Sequence, residues 1–401
     1  QRFVYGAKIA FYVLAALLPV FFLPRPLGVE FGREMMFSAL ILGAFVLWLI
    51  SLLAAGEIRW RHSPIVYAAG ILAVAWSISA FVTPAPWVST FFADVAAERL
   101  SKGILGLLLM LTAGNVLRRR AEGGMLLFML IFSGGVSAAL TAVQMLFDRS
   151  LLRAAGVTAD ATGNVVGTMN GLALVYTALF VITVGILSSS AALRWKVWVR
   201  AALGAVAILF LLDMLLINFR TAWIALLGAS IVLFGLFLID GLTSATIGMS
   251  RFRMRHWAMA LIVVMSIVMI MVRGQVIPGV AIPPEVSPSL SATLSITSEA
   301  FKEGPLKVFF RSGPGTFGLL WARYKDPSIN QTIFWGTRFN QGQSWATTLL
   351  PTIGVIGAGA FMLFVLSAFA TFLRMLLGAR SREGDREFGA DNAERQGDAD
   401  D

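Results

Sequence analysis

The chain contains ten apolar runs, most of them long enough to cross a lipid bilayer as an α-helix. A span needs about 20 mostly apolar residues to cross a hydrocarbon core about 30 Å thick. The runs lie near residues 8–24, 35–55, 64–84, 103–117, 124–147, 168–188, 197–217, 221–241, 257–273 and 346–377. The sequence therefore predicts an all-α membrane protein, a polytopic helical bundle of about ten spans.

The composition fits a protein whose surface mostly faces lipid. Of 401 residues, 58% are hydrophobic and 13% are charged, whereas a soluble domain is typically about 45–50% apolar and about 25% charged. One very large soluble core is excluded because single cores stop growing at roughly 250–300 residues. Cysteine is absent and histidine occurs twice, which argues against a disulfide framework and a His-rich metal site. We therefore expect neither a metal nor a cofactor.

Basic residues cluster between the apolar runs and indicate orientation. The formal net charge is +10, but Lys and Arg form short clusters at alternate connections, such as 118–120 and 251–255, and do not gather on one basic surface. Cytoplasmic connections of membrane proteins are enriched in Lys and Arg. The pattern predicts that both termini are cytoplasmic, and the partner it implies is membrane lipid, not nucleic acid.

Two segments are too polar to lie in the membrane. Residues 274–345 form a long outer loop, and structureless loops above roughly 12–15 residues are usually functional or disordered. Part of this outer loop predicts a helix, because its larger side chains recur at helical spacing, at Leu290, Leu294, Thr297 and Phe301. Residues 378–401 mix both charges and predict a disordered cytoplasmic tail.

Arg220 lies in the short outer connection INFRTAW between the seventh and eighth runs. A guanidinium at that depth is costly unless it reaches the interface or finds a partner. One interpretation is structural, with Asp213 two helical turns earlier as a possible partner. The other is an anion clamp, because Arg binds phosphate through a bidentate fork. A phosphate at this level would belong to a lipid head group or a lipid-linked substrate.

Two glycine-containing segments are further candidates. The sequence RSGPGTF at 311–317 predicts a tight turn, which is either an ordinary turn or a backbone cradle for an anion. The sequence GNVVGTMNGLAL at 163–174 precedes the sixth run, where Asn164, Thr168 and Asn170 either cap the helix or contact a ligand in an outer cavity. Gln144, near the outer end of the fifth run, is predicted to face the same cavity.

The outer loop ends in a cluster that interleaves aromatic, basic and amide side chains. Its members are Trp321, Arg323, Tyr324, Lys325, Asp326, Trp335, Arg338, Gln341, Gln343 and Trp345. Aromatic faces and charged donors suit sugars and phosphates. Tryptophan is also enriched where proteins cross the membrane–water interface, so a binding site and an interfacial belt both remain open.

These elements, in this order, resemble the O-antigen ligase and O-antigen polymerase superfamily of bacterial envelope proteins. The resemblance covers residues 140–377, with 1–139 as additional N-terminal spans. It rests on four elements, the helix start at Gly167, Thr168, Asn170, Leu172 and Ala173, the turn NFRTAWIALLGA, the loop motif at Pro305, Leu306, Gly313, Pro314, Gly315 and Phe317, and the closing helix LLPTIGVIG.

The resemblance implies a metal-independent glycosyltransferase of the bacterial cytoplasmic (inner) membrane. Members of this superfamily move a glycan from undecaprenyl diphosphate to an acceptor at the outer face, with arginines on the diphosphate and a loop His that activates the acceptor. Of the family's arginine positions, the resemblance carries over Arg220, and we expect Arg220 and Arg338 to bind the diphosphate. We expect the cavity or glycan-binding residues to be Gln144, Asn170, Arg323, Tyr324, Lys325 and Gln343.

The chain departs from the superfamily pattern at two positions. The His–Asn pair that precedes the closing span falls on Gln343 and Ser344, and glutamine cannot act as a general base. The second Arg falls near Leu290, with Leu294 where a Trp is expected. The candidate substitute bases are Glu299, Glu303 and Asp326.

Three functions are compatible with these residues. The first is a ligase or polymerase that transfers glycan from a polyprenyl-diphosphate donor. The second is a non-catalytic relative that keeps the fold as an envelope or partner-binding protein, and the missing His favours it. The third is a transporter or flippase, which is disfavoured because transporters place polar groups near the membrane midplane, whereas here they crowd the outer face.

Overall fold

The structure, a computed structural model, is helical throughout. It describes residues 2–22, 29–56, 63–83, 86, 89, 99–147, 164, 168–189, 191–243, 249–272, 286–302, 304 and 308–397. Among these residues there are twelve α-helices and no β-strand. The helices are α1 Arg2–Leu17, α2 Val29–Ala55, α3 Pro64–Val82, α4 Leu100–Val116, α5 Arg120–Leu146, α6 Met169–Ser188, α7 Val197–Ile217, α8 Arg220–Thr243, α9 Met249–Met271, α10 Leu290–Phe301, α11 Phe317–Tyr324 and α12 Trp345–Gly397.

Seven of the described helices are long and apolar enough to cross a membrane. They correspond to Phe31–Ala55, Pro64–Val82, Arg120–Leu146, Met169–Ser188, Val197–Ile217, Arg220–Leu238 and Trp345–Met375. The other three predicted spans fall on α1, of 16 residues, on α4 and on the apolar part of α9. The chain is therefore a multi-pass helical membrane protein, and the total of about ten spans stays a prediction.

The described residues divide into two compact units. The first unit comprises Gln1–Ser51 and Val116–Glu285, and the second comprises Leu52–Asn115 and Val286–Asp401. The first unit therefore holds α1, most of α2 and α5 to α9. The second holds α3, nearly all of α4 and α10 to α12.

The first unit is packed around α5, α6, α7 and α8, with Tyr176, Phe210 and Trp223 fully buried at its centre. Glycines on α5 let the neighbouring helices approach, because a Cβ at Gly134 would lie 2.4 Å from Leu179 Cδ1. The helix α1 joins this core through the Ser133 hydroxyl, which donates to the Ala15 carbonyl.

A two-residue turn connects α7 to α8. Asn218 ends α7 in the left-handed conformation, with φ 47°, and its backbone N–H donates to the Met214 carbonyl. Asparagine tolerates this conformation better than other non-glycine residues. The Asn218 side-chain oxygen accepts a hydrogen bond of 2.9 Å from Trp223 Nε1. Arg220 therefore begins α8 directly after a turn that is held by hydrogen bonds to both α7 and α8.

The second unit pairs α3 with α12. Their shared core contains Trp76, Ala80, Leu349 and Ile353, together with Leu100 from α4. A smaller core lies between α10 and α11 and contains Ile296, Ala300, Phe317, Leu320 and Trp321.

The long helix α12 is interrupted near its start. Gly354 has φ 76° and ψ −177°, and Pro351, three residues earlier, has no backbone N–H to donate. A Cβ on Gly354 would lie 2.4 Å from the Phe309 carbonyl oxygen. The absence of a side chain at Gly354 therefore allows the backbone of the outer loop to pack against α12. At its other end, α12 continues through Gly397, where the sequence predicted a disordered tail from residue 378. This tail is rich in Arg, Glu and Ala, which are good helix formers.

The helix predicted within the outer loop is present as α10. The residues of α10 that are buried are Thr293, Ile296, Thr297 and Ala300. Leu290 and Leu294 are about half exposed. The face of α10 that carries Ile296 and Ala300 packs against α11.

Candidate functional site

A cavity of about 360 Å³ lies in the second unit between α10, α11 and the 3₁₀ helix Pro327–Gln331. Four residues of the predicted outer cluster contribute to it together with serines of α10. The lining residues are Ser289, Ser291, Ala292, Ser295, Ile296, Trp321, Tyr324, Lys325, Asp326 and Ile329. The cavity thus combines hydroxyl groups, one cation, one carboxylate and two aromatic rings.

The charged pair of the cavity, Lys325 and Asp326, is positioned by the end of α11. The Lys325 backbone N–H donates to the Trp321 carbonyl, and its Nζ donates to the Trp335 carbonyl at 2.9 Å. Asp326 caps the following 3₁₀ helix, because its Oδ1 accepts from the Ser328 backbone N–H at 2.8 Å. Hydrogen bonds from the Ser328 side chain and backbone lower the pKa of Asp326 below its ordinary value. Asp326 is therefore ionised at neutral pH.

The aromatic side of the cavity is rigid. Trp321 is buried, its Nε1 donates to the Thr337 carbonyl at 3.2 Å, and its ring meets Phe339 edge to face. The Arg323 guanidinium lies 5.3 Å from the centre of the Tyr324 ring. The positions of these rings are consequently set by the fold before any ligand arrives.

The serines of this cavity were missed by the sequence analysis. Ser291 and Ser295 are four residues apart on α10, and this spacing places two hydroxyls on one helix face. The spacing is visible in SLSATLS, but only the packing of α10 beside α11 shows that this face meets Tyr324 and Asp326.

The other predicted residues of the outer loop lie outside this cavity. Glu299 is exposed and pairs with Lys302 at 2.6 Å. Arg338 and Gln343 are exposed, and the Gln343 backbone N–H donates to Thr293 Oγ1. Glu303 is outside the described residues.

The RSGPGTF turn serves a structural role in the described contacts. The Gly313 backbone N–H donates to the Thr352 carbonyl at 2.9 Å, so it is not available to an anion. The Thr83 hydroxyl donates to the Ser312 carbonyl, and Ser89 Oγ donates to the Pro314 carbonyl at 2.8 Å. Of the two interpretations of this motif, the contacts favour the ordinary turn.

In the first unit, Arg220 is exposed at the start of α8. Asp213 does not pair with it: both carboxylate oxygens of Asp213 are buried without a hydrogen-bond partner among the described residues. The possible pairing of Arg220 with Asp213 is therefore not formed, whereas an Arg220 side chain that reaches the membrane interface and an anion clamp both stay predictions. The Arg220 guanidinium is not neutralised by that carboxylate.

The remaining predicted residues flank α5 and α6. Thr168 is the N-cap of α6, and its side chain accepts from the Gly171 backbone N–H at 3.1 Å, as the capping interpretation expects. Asn164 and Gln144 are buried, and Asn170 is partly buried. Gly167 is outside the described residues.

No known protein family, curated protein or solved structure matches this chain. Among the described residues there is also no group of three or more His, Asp or Glu side chains that could hold a metal ion. Function must therefore be argued from the side chains themselves.

Proposed function

We propose that the chain is an O-antigen-ligase-like integral membrane protein of cell-envelope polysaccharide biosynthesis. It transfers a glycan from a polyprenyl-diphosphate donor at the outer face of the bacterial cytoplasmic membrane. The observation that carries the proposal is the cavity in the outer loop, where Trp321 and Tyr324 stand beside Lys325, Asp326 and three serine hydroxyls. Sugars are bound by aromatic faces together with charge-assisted hydrogen bonds.

The Arg220 turn supports a lipid-diphosphate donor. Its guanidinium is exposed and is not paired with Asp213, and a planar fork of five donors suits diphosphate oxygens. The charge pattern of the sequence predicts that the Arg220 turn and the outer loop both lie outside the membrane. Arg338 is also exposed and is a separate candidate for contact with the diphosphate.

In the proposed reaction, an acceptor hydroxyl oxygen bonds to the anomeric carbon of the donor glycan. The bond from that carbon to the diphosphate oxygen breaks, and the polyprenyl diphosphate leaves with the bonding electrons. The hydroxyl proton passes to a carboxylate. Asp326 is the candidate, because it is ionised and lines the cavity, whereas Glu299 is paired with Lys302. A lowered pKa makes Asp326 a weak base, so it takes the proton late, as the bond to the leaving group breaks.

One observation favours the second candidate function, a non-catalytic envelope protein that binds glycan. The position where the resemblance places the activating His carries Gln343, whose amide has no titratable proton. Such a protein would use the same cavity for binding alone.

The test uses the full chain in lipid nanodiscs with an undecaprenyl-diphosphate-linked glycan and a sugar acceptor. Binding of the donor and release of free undecaprenyl diphosphate are measured separately. We expect Asp326→Asn to slow release by about 10²–10⁴-fold, the range for a general base, and Arg220→Ala to weaken donor binding.

The matched control is Glu299→Gln, which removes an exposed carboxylate of the same loop outside the cavity. It should leave release unchanged. Binding without release in the unmodified protein would establish the non-catalytic alternative, and absence of both binding and release would contradict the proposal.

A further inference from the structure

Asp213 is a fully buried acidic side chain in the apolar core of the first unit. It lies on α7, four residues before the end of the helix, which is about 6 Å along the helix axis. Its exposed fraction is 0%, and neither carboxylate oxygen has a hydrogen-bond partner among the described residues. Carboxylates in the interior of membrane helices are rare and are commonly functional.

The surroundings of Asp213 contain hydroxyl groups. Tyr176 on α6 is fully buried and belongs to the same core as Met214, the residue that follows Asp213. That hydroxyl forms hydrogen bonds of 3.1 Å with Ser137 and with Thr141 on α5. The Tyr176 ring also stacks on Phe210, one turn before Asp213 on the same face of α7. A group of buried hydroxyls thus lies where α5, α6 and α7 meet.

A polar stripe on α5 extends this pocket. The buried polar side chains of its inner face follow at intervals of three or four residues, at Ser133, Ser137, Thr141 and Gln144. Eleven residues of helix span about 16 Å, roughly half of a bilayer core.

The two helices packed on α7 provide no cation at this level. The only charged residues of α5 are Arg120 and Glu122, in its first turn, and the only titratable side chain of α6 is Tyr176. On α7 itself, Arg200 lies near the opposite end, and Arg220 does not pair with Asp213. An ionised carboxylate without a partner is strongly disfavoured in apolar surroundings, and such a group neutralises by binding a proton.

We propose that Asp213 is a proton-binding site inside the membrane-spanning bundle, with the Tyr176, Ser137 and Thr141 hydroxyls as its polar surroundings. The carboxyl group holds a proton at neutral pH. The site is separate from the glycan cavity of the second unit, so the proposal does not depend on glycan transfer.

The test uses dicyclohexylcarbodiimide, an apolar reagent that adds to protonated carboxyl groups in membranes. The acid proton moves to a carbodiimide nitrogen, the carboxylate oxygen bonds to the central carbon, and rearrangement leaves a stable N-acylurea. The full chain in nanodiscs is treated at several pH values, and the peptide containing Asp213 is analysed by mass spectrometry. We expect labelling that approaches one reagent per protein at neutral pH and decreases in alkali.

Three comparisons make the result decisive. A water-soluble carbodiimide with an added amine should modify the exposed Glu299 and leave Asp213 unmodified. Asp213→Asn should abolish the dicyclohexylcarbodiimide adduct and the infrared carbonyl band of a protonated acid at neutral pH. An unlabelled Asp213 without that band would show an ionised, paired carboxylate and overturn the proposal. Suppression of labelling by sodium, but not by choline, at constant pH would assign the site to sodium and overturn it equally.

Discussion

Thr293 Oγ1 accepts a hydrogen bond of 2.9 Å from the Gln343 backbone N–H, which anchors the end of the outer loop to α10. The same hydroxyl donates to the Ser289 carbonyl. Next to this contact, a Cβ at Gly342 would lie 2.6 Å from Thr293 Cγ2, so the Gly342 backbone lies closely against the Thr293 side chain. The main chain at position 343 is therefore held firmly, while its side chain is exposed.

Removing that hydroxyl should loosen the outer loop. We expect Thr293→Val to lower stability by about 1 kcal/mol, because the buried N–H of Gln343 loses its acceptor, and Thr293→Ser to have a smaller effect because it keeps the oxygen. Limited proteolysis between residues 325 and 343 measures the difference. Equal cleavage rates for the Val and Ser variants would contradict this role of Thr293.

The two faces of α10 should differ in their tolerance of truncation. Ile296 is 2% exposed within the core beside α11, whereas Leu294 is 50% exposed. We expect Ile296→Ala to lower the free energy of unfolding by about 2–5 kcal/mol, as for other buried aliphatic truncations. Leu294→Ala should cost much less. Thermal unfolding in detergent compares them, and a larger loss at Leu294 would contradict the packing of Ile296 against α11.

The interruption of α12 should be sensitive to a single methyl group. Gly354→Ala places a Cβ 2.4 Å from the Phe309 carbonyl oxygen on a backbone with φ 76°, so we expect a loss of more than about 2 kcal/mol. Gly359→Ala is the matched control, because nothing lies within 4 Å of that Cβ and the residue is helical. It should be neutral or stabilising by up to about 1 kcal/mol. Thermal unfolding should show a loss of stability for Gly354→Ala and no loss for Gly359→Ala. Equal effects of the two substitutions would exclude a close contact at Gly354.

The turn after α11 should weaken in acid. Hydrogen bonds from Ser328 lower the pKa of Asp326. A carboxyl group whose pKa is lower in the folded state than in the unfolded state stabilises the fold at pH values above its unfolded pKa of about 3.9. This stabilisation is lost as the pH falls through the folded-state pKa. We expect pepsin cleavage near residues 326–331 to accelerate over that acidic range, and to accelerate at a higher pH in Ser328→Ala.

The control for this acid transition is Asp326→Asn, because the asparagine side chain does not take up a proton over this pH range. Its cleavage rate should lack the transition that the unmodified protein shows. An identical transition in both proteins would place the titrating group elsewhere.

The helices themselves could be predicted from the sequence because the signal is local. The runs predicted at 168–188 and 197–217 agree with α6, Met169–Ser188, and α7, Val197–Ile217, to within one residue. The length of the apolar run and an Asn or Pro that ends a helix determine where such helices begin and end, so the neighbouring helices need not be known. The buried face of α10 could not be predicted, since Thr293 is buried only because the Gly342–Gln343 backbone docks on it.

Pairings between helices were harder to predict. Asp213 and Arg220 are seven residues apart, a spacing that places side chains on one face of a continuous helix, two turns apart. Asn218 reverses the chain between them, so Arg220 begins the next helix while Asp213 is directed into the core. For the cavity, Tyr324, Lys325 and Asp326 were predicted as a group because they are adjacent. Ser291 and Ser295 were not, because more than 25 residues of chain separate them from Tyr324.

At the interruption near Gly354, the last membrane span packs against the backbone of the outer loop. The Thr352 carbonyl accepts from the Gly313 N–H and from the Ser79 hydroxyl of α3, so one oxygen atom joins two helices and the turn that leads directly into α11. The last membrane span and the segment that leads into α11, which lines the cavity, are thus linked through a single backbone carbonyl group.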